Sequence, residues 1–237
     1  MNPILAGVAL AVTAGVVIAV SAREGRAALV GLAVALVAAP FLGDPLPQIS
    51  TLATRVVGAA LTAYLLRAAV VAAPPLPIRG PRRPGGSRIG WPAEVLVAAA
   101  AWLVAFVLSD GLAGLAPGGG TAPSTGPTAM LTPAAVTTAA GLAAMILAIV
   151  PALGGPGALR TAIGSLLLIQ GILVFRAGVA GAPGDLEQLG GVMLLVAIGV
   201  AGAWLIGAEG RRVEADSDAP DALVATAADD LSSGPAR

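Results

Sequence analysis

Seven long apolar stretches divide this chain, and the loops between them carry arginines on one side only. A helix needs about 20 apolar residues to cross a hydrocarbon core about 30 Å thick. Backbone polar groups inside lipid must also be paired within their own segment. The stretches Pro3–Val20, Ala27–Leu42, Ser50–Ala73, Pro92–Leu115, Pro133–Leu153, Leu159–Ala177 and Leu189–Gly207 therefore predict seven transmembrane helices in an all-α polytopic membrane protein. A transmembrane barrel would need polar and apolar residues to alternate, and none of these stretches alternates. The second stretch is cut short by Pro40 and the run Gly43-Asp44-Pro45-Leu46-Pro47, because proline lacks the N–H that continues a helix.

The arginines set the expected orientation. Arg23 and Arg26 fall between the first two stretches, Arg79, Arg82, Arg83 and Arg88 between the third and fourth, and Arg160 at the start of the sixth. Arg211 and Arg212 follow the seventh. The alternate loops, 43–48, 116–132 and 178–188, contain no arginine and hold Asp44, Asp185 and Glu187. Cytoplasmic loops are enriched in basic residues, so the N-terminus is expected outside and the C-terminus in the cytoplasm of a cell membrane. Ala19-Val20-Ser21-Ala22 has the small residues of a signal-peptide cleavage site. The arginines follow the apolar run instead of preceding it, which favours a retained first helix.

The expected organisation is a membrane domain over residues 1–208 and a cytoplasmic tail over 209–237. The tail carries seven acids against three arginines and shows no periodicity, so it is expected to be disordered. The four arginines of the third loop suit anionic headgroups or a soluble partner, but topology favours a simple stop-transfer cluster. Nothing in the chain suggests nucleic-acid binding.

Composition removes most chemistry. The chain has no cysteine, no histidine and no lysine, since all 13 basic residues are arginine. Thiolate, imidazole and Schiff-base chemistry are therefore excluded, and no residue offers itself as catalyst or as ligand for a metal, flavin or quinone. Gly118-Gly119-Gly120 is followed by neither a lysine nor a helix start, so it is no phosphate cradle. Mean hydropathy is +0.91 with 11% charged residues, so an ionisable group at membrane depth stands out as a functional candidate. Arg55 lies about 8 Å along the third helix, taking 1.5 Å per residue. It has two readings: reaching out to the headgroups, or turning into the bundle to meet a carboxylate. Arg67 and Arg176 lie near helix ends, where snorkelling is expected. Glu94 and Asp110 flank the fourth helix, and no acid lies near mid-depth of any span. Gln170, in the middle of the sixth helix beyond Thr161 and Ser165, is the polar candidate there. It can bond across helices or orient water.

Small-residue stripes at Gly164 and Gly171, and at Gly199, Gly202 and Ala203, predict close helix packing of the kind used in larger assemblies. Residues 26–68 and 160–206 look loosely alike, each with an acidic turn and a glutamine between two helices. Both run in the same direction, so this is a parallel repeat. A solute transporter would instead be expected to have broken helices and an inverted repeat.

The run Leu159-Arg160-Thr161-Ala162-Ile163-Gly164, then Gly171, resembles the hydrogenase-4 component E family, whose last three helices are shared with the small 4L-type subunit of complex I. Asp185-Leu186-Glu187-Gln188-Leu189-Gly190 extends the resemblance, and Thr54-Arg55-Val56 falls where that family has Thr-Lys-Val. The match covers most of residues 4–208 with sparse identities. It implies a non-catalytic subunit bracing antiporter-like subunits of a respiratory assembly, with redox centres in soluble partners. Where the family has an intramembrane glutamate this chain has Ile169, with Gln170 for the neighbouring asparagine, and a second family acid corresponds to about Leu194. The resemblance therefore does not extend proton translocation to this subunit, and Arg55, which keeps the family's basic charge, becomes its best-supported position. The alternatives are an independent small-solute transporter and a membrane anchor or assembly protein.

Overall fold

A computed structural model describes residues 3–43, 48–73, 91–113, 132–154, 157–181 and 183–232, with side chains left undescribed at 91, 108–113, 154 and 213–232. Among the described residues there are seven α-helices and no strand: α1 (Pro3–Ser21), α2 (Gly25–Ala38), α3 (Ile49–Ala72), α4 (Trp91–Ala113), α5 (Pro133–Gly154), α6 (Ala158–Ala180) and α7 (Asp185–Ser232). A 3-10 turn, Ala39–Leu42, extends α2 with Pro40 near its start and gives way to extended backbone at Gly43. The proline ring cannot continue the α ladder, so the helix tightens and stops where the sequence expected.

Six segments are long and apolar enough to cross a membrane: Pro3–Ser21, Gly25–Leu42, Ile49–Ala72, Pro133–Leu153, Ala158–Ala180 and Asp185–Arg212. The chain is a multi-pass helical membrane protein. The expected fourth span, Pro92–Leu115, coincides with the 23-residue helix α4 (Trp91–Ala113), of which the described apolar run is Pro92–Val107. The far end of α7 differs. Its backbone stays helical to Ser232, through a segment expected to lack regular structure. Alanine has the highest helix propensity and recurs through that tail, so helix formation there is compatible with its acidity.

The connections define two ends of the bundle. The end of α2 and the start of α3 lie at the upper end with the end of α6 and the start of α7, and the end of α1, the start of α2, the end of α5 and the start of α6 lie at the lower end. Close approaches between helices occur at glycine. A Cβ on Gly15 of α1 would lie 2.8 Å from the Ala35 nitrogen and the Gly31 oxygen of α2. One on Gly171 of α6 would lie 2.8 Å from the Met145 nitrogen of α5 and 3.0 Å from the Gly141 oxygen. Gly164 and Gly178 press on the same α5 neighbour, at Ala152 and Thr138. The expected glycine stripe of α6 is thus used inside the chain, joining α5 and α6 as an antiparallel pair. The stripe on α7 is also internal: Gly199 meets Thr62, and Gly202 meets Leu66 and Ala162.

The α3–α7 contacts climb together, with Gly58 against Val192, Thr62 against Gly199 and Leu66 against Gly202, so the two helices run parallel. Because α2 also touches α6, the hairpins α2–α3 and α6–α7 lie side by side in one orientation, as the internal likeness predicted. Leu32, Leu36, Leu66, Ile163, Leu166 and Leu167 form the closed interior. Val57, Tyr64, Leu103, Met193 and Trp204 project outward as lipid-facing side chains. Lipid tails are as apolar as leucine, so these helices are held by packing and a few polar contacts, not by exclusion of apolar surface from water.

Candidate functional site

Two polar centres stand out in this apolar bundle, one near each end. The upper centre is a cavity of about 20 Å³ between the two parallel hairpins. Arg55 reaches it from the second turn of α3, Gln170 from the middle of α6, and Glu187 and Gln188 from the first turn of α7, over apolar walls that include Leu36 and Leu195. Arg55 and Gln170, singled out independently in the sequence, therefore share one cavity. Arg55 is half-buried where it lines this cavity, without a hydrogen bond or ion pair among the described residues. Arg176 does not merely snorkel. It pairs with Glu187, tying the end of α6 to the start of α7, with both side chains nearly half exposed.

Gln188 is held by its amide: Nε2 donates to the Pro183 carbonyl at 2.7 Å, while Oε1 is buried without a partner. Gln170 is 5% exposed. A cavity of this size holds about one water. It has room for one water or a single small ion, and among the described residues its lining has no nucleophile and no pair of unengaged carboxylates. No cluster suited to a metal ion occurs among the described residues.

The lower centre was not read from the sequence. Arg160, two residues into α6, donates from Nη1 to the Val20 carbonyl at 2.6 Å and from Nη2 to the Ala22 carbonyl. The last carbonyls of a helix have no partner within it, so the guanidinium caps α1 and places a cation at the negative end of its dipole. Glu94, in the first turn of α4, is 6% exposed, with neither carboxylate oxygen hydrogen-bonded. Its charge attracts Arg160. At the same end, Glu209 of α7 accepts a 2.7 Å bond at Oε2 from the Ala158 N–H, capping α6 with an acid. Gly157 before it takes φ 91°, a left-handed conformation favourable only for glycine. The signal in the sequence was limited to a carboxylate and an arginine beside helix starts.

The other sequence candidates sit as follows. Arg67 is exposed near the end of α3. Ile169 is half-buried, and Leu194 is exposed on the outer side of α7. Arg79, Arg82, Arg83, Arg88 and Asp44 lie outside the described residues, and the Asp110 side chain is also undescribed. Comparison of the chain with family models, with curated proteins and with solved structures gave no match in any of the three.

Proposed function

We propose that this chain is a non-catalytic integral subunit of a hydrogenase-like or complex I-like membrane assembly, bracing antiporter-like subunits that carry the charged pathway. The observation that supports this reading is the convergence of Arg55 and Gln170 on one cavity. These positions are 115 residues apart (170 − 55), and both stand out in the sequence as polar groups within membrane spans. The fold favours bracing over solute transport. α3, α6 and α7 are continuous through mid-depth, the internal repeat is parallel, and the cavity is too small for a solute larger than a few atoms. In this reading α4 completes a seventh crossing and the lower end, rich in arginine, faces the cytoplasm of a cell membrane.

Two experiments test it. The tagged chain is isolated in mild detergent from its native membrane and its companions are identified by mass spectrometry. Recovery with antiporter-like subunits and a metal-cluster protein is expected, and recovery alone removes the subunit reading. The natural lack of cysteine makes single-cysteine mapping clean. Ser124→Cys is expected to react with an impermeant maleimide on intact cells and Ser87→Cys to be protected. The same response from both would mean that α4 does not cross.

A further inference from the structure

The cavity between the parallel hairpins contains a charge imbalance. Among the described residues its charged lining consists of Arg55, Arg176 and Glu187, two cations and one anion. Glu187 is committed to Arg176 in an ion pair. Arg55, half-buried between helices, is left with no ion-pair or hydrogen-bond partner among the described residues. An uncompensated charge removed from water costs several kcal/mol, and a membrane interior offers no general solvent to offset that. Gln170, 5% exposed and reaching the same cavity, adds an amide group with two donor hydrogens. The space, about 20 Å³, suits one water-sized particle. A neutral water would leave the net charge of the lining at +1, whereas one monovalent anion cancels it.

We propose that this cavity is a binding site for a single small inorganic anion of chloride type, held by the Arg55 guanidinium and the Gln170 amide and entering past Glu187 and Pro183 at the upper end. The anion acts as the missing counter-charge that lets Arg55 remain between the helices. Glu187 acts as a competing charge at the entrance: neutralising it raises the attraction, and neutralising Arg55 abolishes it. The site belongs to the chain itself and does not depend on the subunit reading above.

The test is thermal unfolding of the purified full chain in detergent, followed by circular dichroism, in sodium chloride against sodium gluconate at equal ionic strength. A site filled to about ten times its Kd raises Tm by about 3–5 °C in a protein of this size. The expected rise is saturable in chloride and absent in gluconate. Arg55→Gln is expected to remove the chloride effect, and Glu187→Gln to lower the half-saturating chloride concentration several-fold. If Arg55→Gln does not fold, Gln170→Leu serves instead, with weakened chloride dependence expected. Chloride-35 NMR line broadening by the wild-type chain, lost in the variant, is the direct readout. Equal Tm in chloride and gluconate overturns the proposal, as does an undiminished chloride effect in Arg55→Gln.

Discussion

Replacing Arg160 by methionine tests the lower centre most directly. Methionine keeps much of the length and the apolar stem but removes both bonds to the carbonyls of Val20, in the last turn of α1, and Ala22 just beyond it. Hydrogen bonds to charged groups contribute about 1.5–3 kcal/mol each. Arg160 is only partly buried, so the lower figure applies, giving about 3 kcal/mol for the two. Glu94 also loses the cation that attracts it. Leaving the buried carboxylate without its nearby cation adds about 1 kcal/mol at most, because the two losses share one guanidinium and do not add. The expected total is therefore about 3–4 kcal/mol. The assay is reversible unfolding in mixed micelles of increasing SDS fraction, monitored by far-ultraviolet circular dichroism. Glu94→Gln in the Arg160→Met background should recover up to about 1 kcal/mol, because it removes the stranded carboxylate. A loss below about 1 kcal/mol for Arg160→Met would refute the capping role. Strict additivity of the two substitutions would refute the coupling between Glu94 and Arg160.

Gly171→Val is expected to force α5 and α6 apart, since even a Cβ at that position meets the Met145 backbone nitrogen at 2.8 Å. A loss of about 2–3 kcal/mol in the same micelle titration is the measure. Glu209→Gln keeps an acceptor for the Ala158 N–H but removes the charge at the start of α6, and should cost about 0.5–1 kcal/mol, shrinking as salt is added. Arg176→Gln breaks a half-exposed pair and should cost less than about 1 kcal/mol. A larger loss would mean that the pair closes the upper cavity instead of merely lying over it.

The spans were legible because each is a local run of apolar residues, readable without knowing any neighbour. The expected limits of the first, third, fourth and fifth agree with the helices to within two residues, and Pro40 lies in the 3-10 turn that ends the second. The extension of α7 was not legible, because acidic composition argues for disorder while alanine content argues for helix. The roles of Arg160 and Glu94 were hidden for another reason. Arg160 looks like one more positive-inside charge, and its bonds to backbone carbonyls 138 and 140 residues earlier leave no side-chain pattern at either end. Gln170 and Arg55 were visible as unusual residues for their depth, but their convergence depends on α3 and α6 both bordering the seam between two hairpins. The glycine stripes were read correctly as surfaces of close approach. Their partner was the chain itself, which spacing along one helix cannot reveal.

The parallel packing of α3 against α7 has a consequence for biogenesis. Thr62 is enclosed by Gly199, a residue synthesised 137 positions later (199 − 62). At about 5–20 residues per second, α3 waits roughly 7–27 s for the neighbour that covers it. During that interval the least hydropathic of the six long spans, carrying Arg55 in its second turn, is in the bilayer without its principal partner. A helix in that position needs a temporary holder, and an insertase with a hydrophilic groove fits the requirement. Depletion of such a factor should leave α1 and α2 inserted while α3 slips back towards the aqueous side, readable as new protease cleavage near Arg67.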